Sequence, residues 1–218
     1  MTYLDCFVHW LDKWQTLITG ILALIAAGLA LRPVYKQLAL MRAQNNVMVR
    51  ETIGHMILQL DAHRDRVHEI TGKRLTDVHS AIYRFENYGE TKGIGEWASQ
   101  QQSEFTSAES ELKTLFIQSH DVEAIEDQKA ALLASVQDFS GVLWDIYAPD
   151  YAFMFPEDCN WSDEERAAAV VRSSEAEKEL DAKASSVSAA VRQLNEAYAA
   201  QRAGLVRRLR VIDDRLLA

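Results

Sequence analysis

Apolar side chains fall along this chain in two patterns. From residue 14 to residue 31 they are nearly continuous, WQTLITGILALIAAGLAL, with no charge inside the run and Lys13 and Arg32 at its ends. At about 1.5 Å of rise per residue a helix over this run spans roughly 27 Å, close to the hydrocarbon thickness of a bilayer. A helix also satisfies its own backbone polar groups, as a segment in lipid must. The run predicts a transmembrane helix over residues 14–32. Elsewhere apolar residues recur at intervals of three and four, the period of helices that bury one face.

The leader, residues 1–13, carries Tyr3, Leu4, Phe7, Val8 and Leu11 on one helical face and Asp5, His9 and Asp12 on the other. It reads as an extension of the membrane helix or as an interfacial helix on the outer leaflet. Pro33 follows the apolar run and either kinks the helix or starts a new one. Residues 34–88 keep the helical period, with Thr71-Gly72 as its weakest point. Three glycines in residues 89–95 mark a turn. A second helical stretch covers residues 96–148, with a break or a kink at Ser119-His120-Asp121. An aromatic connector, PDYAFMFPEDCNW, occupies residues 149–161. Ser162 and Glu165 then match a capping box. Beyond them Leu180, Ala184, Val187, Val191, Leu194, Tyr198, Gln201 and Leu205 alternate by four and three, a heptad stripe.

These elements predict an all-α protein: one N-terminal transmembrane helix, then residues 33–218 as a cytoplasmic antiparallel bundle of three long helices with coiled-coil character. Three helices of nearly equal length would return the aromatic connector to the bilayer. Tyr151, Phe153, Met154, Phe155 and Trp161 are then candidates for membrane-proximal or partner contact, since aromatic rings favour the membrane interface. The competing expectation is that they close the end of the bundle core. A connector beside the glycine turn is incompatible with membrane contact.

Composition sharpens this picture. Only three prolines and nine glycines occur in 218 residues, which suits long helices. The net charge of −9 argues against nucleic acid as a partner, because such proteins show a basic footprint. Asp5, Asp12 and Lys13 precede the apolar run, whereas Arg32, Lys36, Arg42 and Arg50 follow it. Basic residues stay on the cytoplasmic side, which places the N-terminus outside. A cleaved signal peptide would need a basic leader, and this one is acidic. Cys6 and Cys159 then lie on opposite sides of the membrane and cannot pair. Within the apolar run Thr16, Gly20, Ala23, Ala27 and Ala30 line one face with small residues, a surface on which two membrane helices pack closely.

Candidate chemistry is sparse. Asp61, Asp65 and His68 share one helical face, but a di-metal bundle site needs Glu-x-x-His pairs, and the chain contains none. Glu157 and Asp158 precede Cys159 and disfavour its thiolate. No nucleophile elbow, phosphate loop or dinucleotide fingerprint occurs. No enzymatic activity, cofactor, metal or small-molecule substrate is expected. The basic residues within 202–215 suit a helix C-terminus as readily as an acidic ligand.

The stretches Trp14-Gln-Thr-Leu-Ile-Thr-Gly20, Ala23-Leu24-Ile25-Ala26-Ala27 and Arg32-Pro33-Val34 resemble the N-terminal anchor of short, uncharacterised bacterial single-pass membrane proteins. The resemblance covers the first fifth of the chain and implies an inner-membrane location and no known activity. The leading expectation is a non-enzymatic, membrane-anchored scaffold or interaction module that self-associates through the heptad stripe, the small-residue face or both, with the bilayer and a second copy or another protein as partners. Two alternatives are a signal-relay subunit coupling the leader to the bundle, with motion at Pro33 and Gly72, and a membrane-acting effector of a toxin or defence system.

Overall fold

A computed structural model of the chain describes residues 3–89, 93–118, 125–157 and 159–217. Four helices account for almost all of them: α1 (Tyr3–Tyr88), α2 (Ile94–Gln118), α3 (Glu126–Met154) and α4 (Asp163–Leu217). The chain divides into two compact units, Met1–Gly54 with Arg208–Ala218, and His55–Arg207.

Local signals set most helix ends. Gly89 follows the last residue of α1 with φ +63°, and its N–H donates to Phe85 O at 3.2 Å. This left-handed position favours glycine and closes the helix. Gly93, with φ +86°, precedes α2. At α4 the Ser162 N–H donates to Glu165 Oε2 at 2.7 Å, and the Glu165 N–H donates to Ser162 Oγ at 3.2 Å. The capping box is formed on both sides.

In the larger unit every neighbouring pair of helical segments runs antiparallel. Arg74 of α1 reaches Glu104 of α2 at 3.1 Å, and Phe85 meets Trp97 edge-on at 5.1 Å between centroids. Phe105 of α2 packs edge-on against Phe139 of α3 at 4.8 Å. Ser173 of α4 donates to Ile146 O of α3 at 3.3 Å, and Lys183 lies 3.6 Å from Asp138. His79 of α1 meets Ser188 of α4 at 2.9 Å, and Arg202 of α4 grips both oxygens of Asp61 at 3.0 Å. In each pair residue numbers rise on one helix as they fall on the other. The result is an up-down-up-down helical bundle around Val67, Val78, Leu112, Leu132, Val136, Leu143 and Leu194, all at or near zero exposure.

Four expectations change. The helix expected over 96–148 is two, α2 and α3, and they fold back on each other. His120 lies outside the described residues, so the break is defined by its flanks: Phe116 near the end of α2 stacks under the Lys129 ammonium of α3 at 5.4 Å. Second, Thr71-Gly72 is no weak point. Thr71 is buried and donates to Val67 O at 2.8 Å, and a Cβ at Gly72 would come within 3.2 Å of the His68 ring. The helix runs unbroken through Gly72, with the His68 ring of its own preceding turn covering a residue that propensity disfavours. Third, Pro149 lies inside α3, which continues to Met154. Its missing N–H costs one helical hydrogen bond, and the buried residues on either side, Ile146, Ala148 and Ala152, hold this end of the helix against the core.

The heptad stripe is the fourth. Leu180, Ala184, Val187, Leu194, Tyr198 and Leu205 are buried, and the stripe extends back through Ala176 to Ala169. Val191 is half-buried, and Ala190 takes the inner position beside it. The stripe packs into the bundle of its own chain.

In the smaller unit α1 runs through Pro33 without a break, and Arg50 Nε lies 2.7 Å from Asp213 Oδ1 of α4. The N-terminal part of α1 is long and apolar enough to cross a membrane, and none of its apolar window is buried.

Candidate functional site

Two surfaces and one charged seam are the places where this fold can act. The first surface is the apolar stretch of α1. Leu17, Ile21, Leu22, Leu24, Ile25, Leu29 and Leu31 are all about half exposed or more. Thr19, a polar residue within it, donates its hydroxyl to Gln15 O at 2.7 Å and so carries no unsatisfied donor into an apolar medium. On the small-residue face Gly20, Ala23, Ala27 and Ala30 are exposed, and a Cβ at Gly20 would meet nothing within 4 Å. The Thr16 side chain and that of Cys6 lie outside the described residues.

The charged seam contains the one metal-like constellation of the sequence. Asp61 accepts from Arg202 and lies 3.6 Å from Arg64, while Asp65 accepts from Arg64 Nη2 at 2.9 Å. Arg66 pairs with Glu69 and with Glu111 of α2, and Arg74 bridges Glu104 and Glu111 while donating to Ile70 O. These carboxylates are committed to arginine and tie α1 to α2 and α4. Arg202 is part of the seam, so the basic run of α4 is partly spent inside the chain. The seam also flanks an open groove on α1 and α4 lined by Arg64, Asp65, His68, Glu69 and Asn195.

His79 and Ser188 form a hydrogen-bonded pair of the kind that can activate a hydroxyl. Both sit in mid-helix, where backbone N–H groups are already bonded along the helix and cannot hold an oxyanion. The pair joins α1 to α4. Lys129, only 2% exposed, is the other unexpected group: it bonds Glu126 Oε1 at 3.1 Å and lies over Phe116. A lysine among apolar residues reads as a surface residue in sequence, and only the fold shows it buried.

The second surface is aromatic. Trp144, Tyr147, Tyr151 and Phe155 form a continuous ladder along the end of α3, with centroid separations of 6.0, 5.7 and 5.1 Å along it and a further Trp144–Tyr151 contact at 5.7 Å. Trp144 and Phe155 are 40% and 46% exposed, and Tyr147 and Tyr151 are half-buried. Phe153, at 88%, and Met154, at 53%, are exposed at the same end, while Trp161 is half-buried and Cys159 buried. Of the aromatic candidates, Tyr151 and Phe155 therefore join one surface. Trp144 and Tyr147, their partners, lie outside the connector that the sequence singles out, although the spacing of three, four and four from Trp144 to Phe155 puts all four rings on one helical face.

This surface lies at the glycine-turn end of the bundle. A Cβ at Gly95 would fall onto the Asp150 carboxylate, which places the end of α3 against the start of α2. The expectation that the connector returns to the membrane is corrected: it required an unbroken helix over 96–148, and the fold-back of α2 on α3 removes that helix.

Compared with known proteins, the chain matches no family model, no curated protein and no solved structure.

Proposed function

We propose that this protein is a membrane-anchored, non-enzymatic helical scaffold, with residues 14–32 crossing the bacterial inner membrane, the N-terminus outside and the bundle in the cytoplasm. One observation carries the reading: a charge-free stretch of α1 exposes seven large aliphatic side chains while the bundle buries its own core completely. Leaving those side chains in water costs on the order of 10 kcal/mol, and a bilayer removes that cost. The arginine and lysine residues that follow the stretch support the orientation.

Self-association belongs in this reading to the small-residue face of Thr16, Gly20, Ala23, Ala27 and Ala30, since the heptad stripe is taken up within the chain. The relay alternative keeps Pro33 as its only point of motion. Alkaline extraction of membranes tests the anchor: the protein should stay in the membrane pellet, and release into the supernatant would refute it. Replacement of Gly20 by Leu should weaken dimer crosslinking within membranes, and unchanged crosslinking would refute the packing face.

A further inference from the structure

The aromatic ladder of α3 is unexplained by a scaffold that only closes its own core. Its rings meet one another edge-on or tilted along the end of α3, and Trp144 and Phe155 leave nearly half their area in water. Exposed rings of this kind mark contact surfaces more often than idle ones.

Charge decides what such a contact takes. From Trp144 to Glu165, the ladder and the connector after it, there are seven acidic residues and no lysine or arginine. Asp145 and Asp150 directly follow or precede the ladder residues Trp144 and Tyr151, and Asp150 is exposed. Past the connector, Asp163, Glu164 and Glu165 open α4 and are exposed as well. An anionic lipid surface or a nucleic acid is repelled by such a field. A guanidinium finds both of its preferred partners there, a ring face to stack on and a carboxylate to pair with.

We infer that the ladder of Trp144, Tyr147, Tyr151 and Phe155, with Asp145 and Asp150, is a docking surface for an arginine-rich segment of a partner protein. This deepens the scaffold reading by naming the chemistry of what is held. Arginine side chains of the partner lie across the rings while the acidic residues draw the segment in, so association is fast and falls with salt.

The test uses the full-length chain in an uncharged detergent, which keeps it in solution whether or not residues 14–32 cross a bilayer, and a fluorescein-labelled amphipathic peptide with arginine on its polar face, read by anisotropy. A counterpart with glutamate at every arginine position should bind about tenfold more weakly or not at all. Trp144→Ala and Phe155→Ala should each reduce affinity for the arginine peptide severalfold, with circular dichroism confirming an unchanged fold. Leu58→Ala, at an exposed apolar residue of α1, should leave it unaltered. Equal binding of the two peptides overturns the inference, and so does full affinity in both ladder variants. Self-association of the chain that Trp144→Ala abolishes would make a second copy the occupant and also overturn it. Membrane extraction does not enter this assay, so failure of the anchor and failure of the docking surface are distinguishable.

Discussion

Truncating Leu194 to alanine tests whether the stripe of α4 is an internal seam. Leu194 has no exposure and sits between the buried residues Ala190 and Tyr198. Removing three buried carbons forfeits about 2.4 kcal/mol of transfer free energy at about 0.8 kcal/mol per methylene. The cavity left behind adds to this, because surrounding helices relax only partly, and buried Leu→Ala changes cost about 2–5 kcal/mol in all. A working value of about 3 kcal/mol lowers Tm by roughly 6–12 °C for a unit of this size. Thermal unfolding of the full-length protein in detergent, followed by far-ultraviolet circular dichroism, reads the shift. Gln193→Ala, exposed on the next position, should remain within about 0.5 kcal/mol of the parent. Val191→Ala should fall between the two, since Val191 is half-buried. The shift for Leu194→Ala should also be the same at all protein concentrations, because the lost contacts lie within one chain. If Leu194→Ala and Gln193→Ala melt together, or if the Leu194 shift grows on dilution, the stripe does not face its own bundle.

Gly95→Ala should force the exposed Asp150 carboxylate to swing aside, so the change should stabilise less than the helix-propensity gain of up to about 1 kcal/mol; an Asp150→Gly background should restore that gain, and a double-mutant cycle in denaturant reads the difference. The Glu165 carboxyl is held below the usual carboxylate range by its hydrogen bonds from the Ser162 backbone and then the Ser162 hydroxyl. A depressed native pKa contributes stability above the unfolded value that is lost as pH falls through the native one, so Glu165→Gln should lower Tm at neutral pH and match the parent in acid. Orientation is best read with an added thiol, because Cys159 is buried and would escape a reagent on either side of the membrane. With Ser174→Cys, exposed on α4, an impermeant maleimide should label Cys6 in intact spheroplasts and reach residue 174 only after lysis; labelling of residue 174 in intact spheroplasts would invert the topology.

Local order was legible from the chain alone wherever the cause is local. The end of α1 at Gly89 needs only a residue that tolerates a positive φ, and the start of α4 needs only Ser162 and Glu165 three residues apart. The apolar run from 14 to 31 is likewise a property of composition and length, and it appears as an exposed apolar stretch of helix. Direction and partner were decided by tertiary packing. A heptad stripe states that one face of α4 will be buried but not whether its cover is the same chain or another. The polar stretch at 119–121 is compatible with a bend or a reversal in sequence, and the packing of Phe105 on Phe139 and of Lys129 over Phe116 shows that the helices on its two sides run antiparallel. That one reversal turned three long helices into four and moved the aromatic connector to the glycine-turn end. Gly72 and Pro149 lie inside continuous helices all the same, although glycine and proline have weak intrinsic preferences for them. Periodicity is a one-dimensional signal of which face becomes dry, and the free energy that selects the covering surface is released only when distant segments meet.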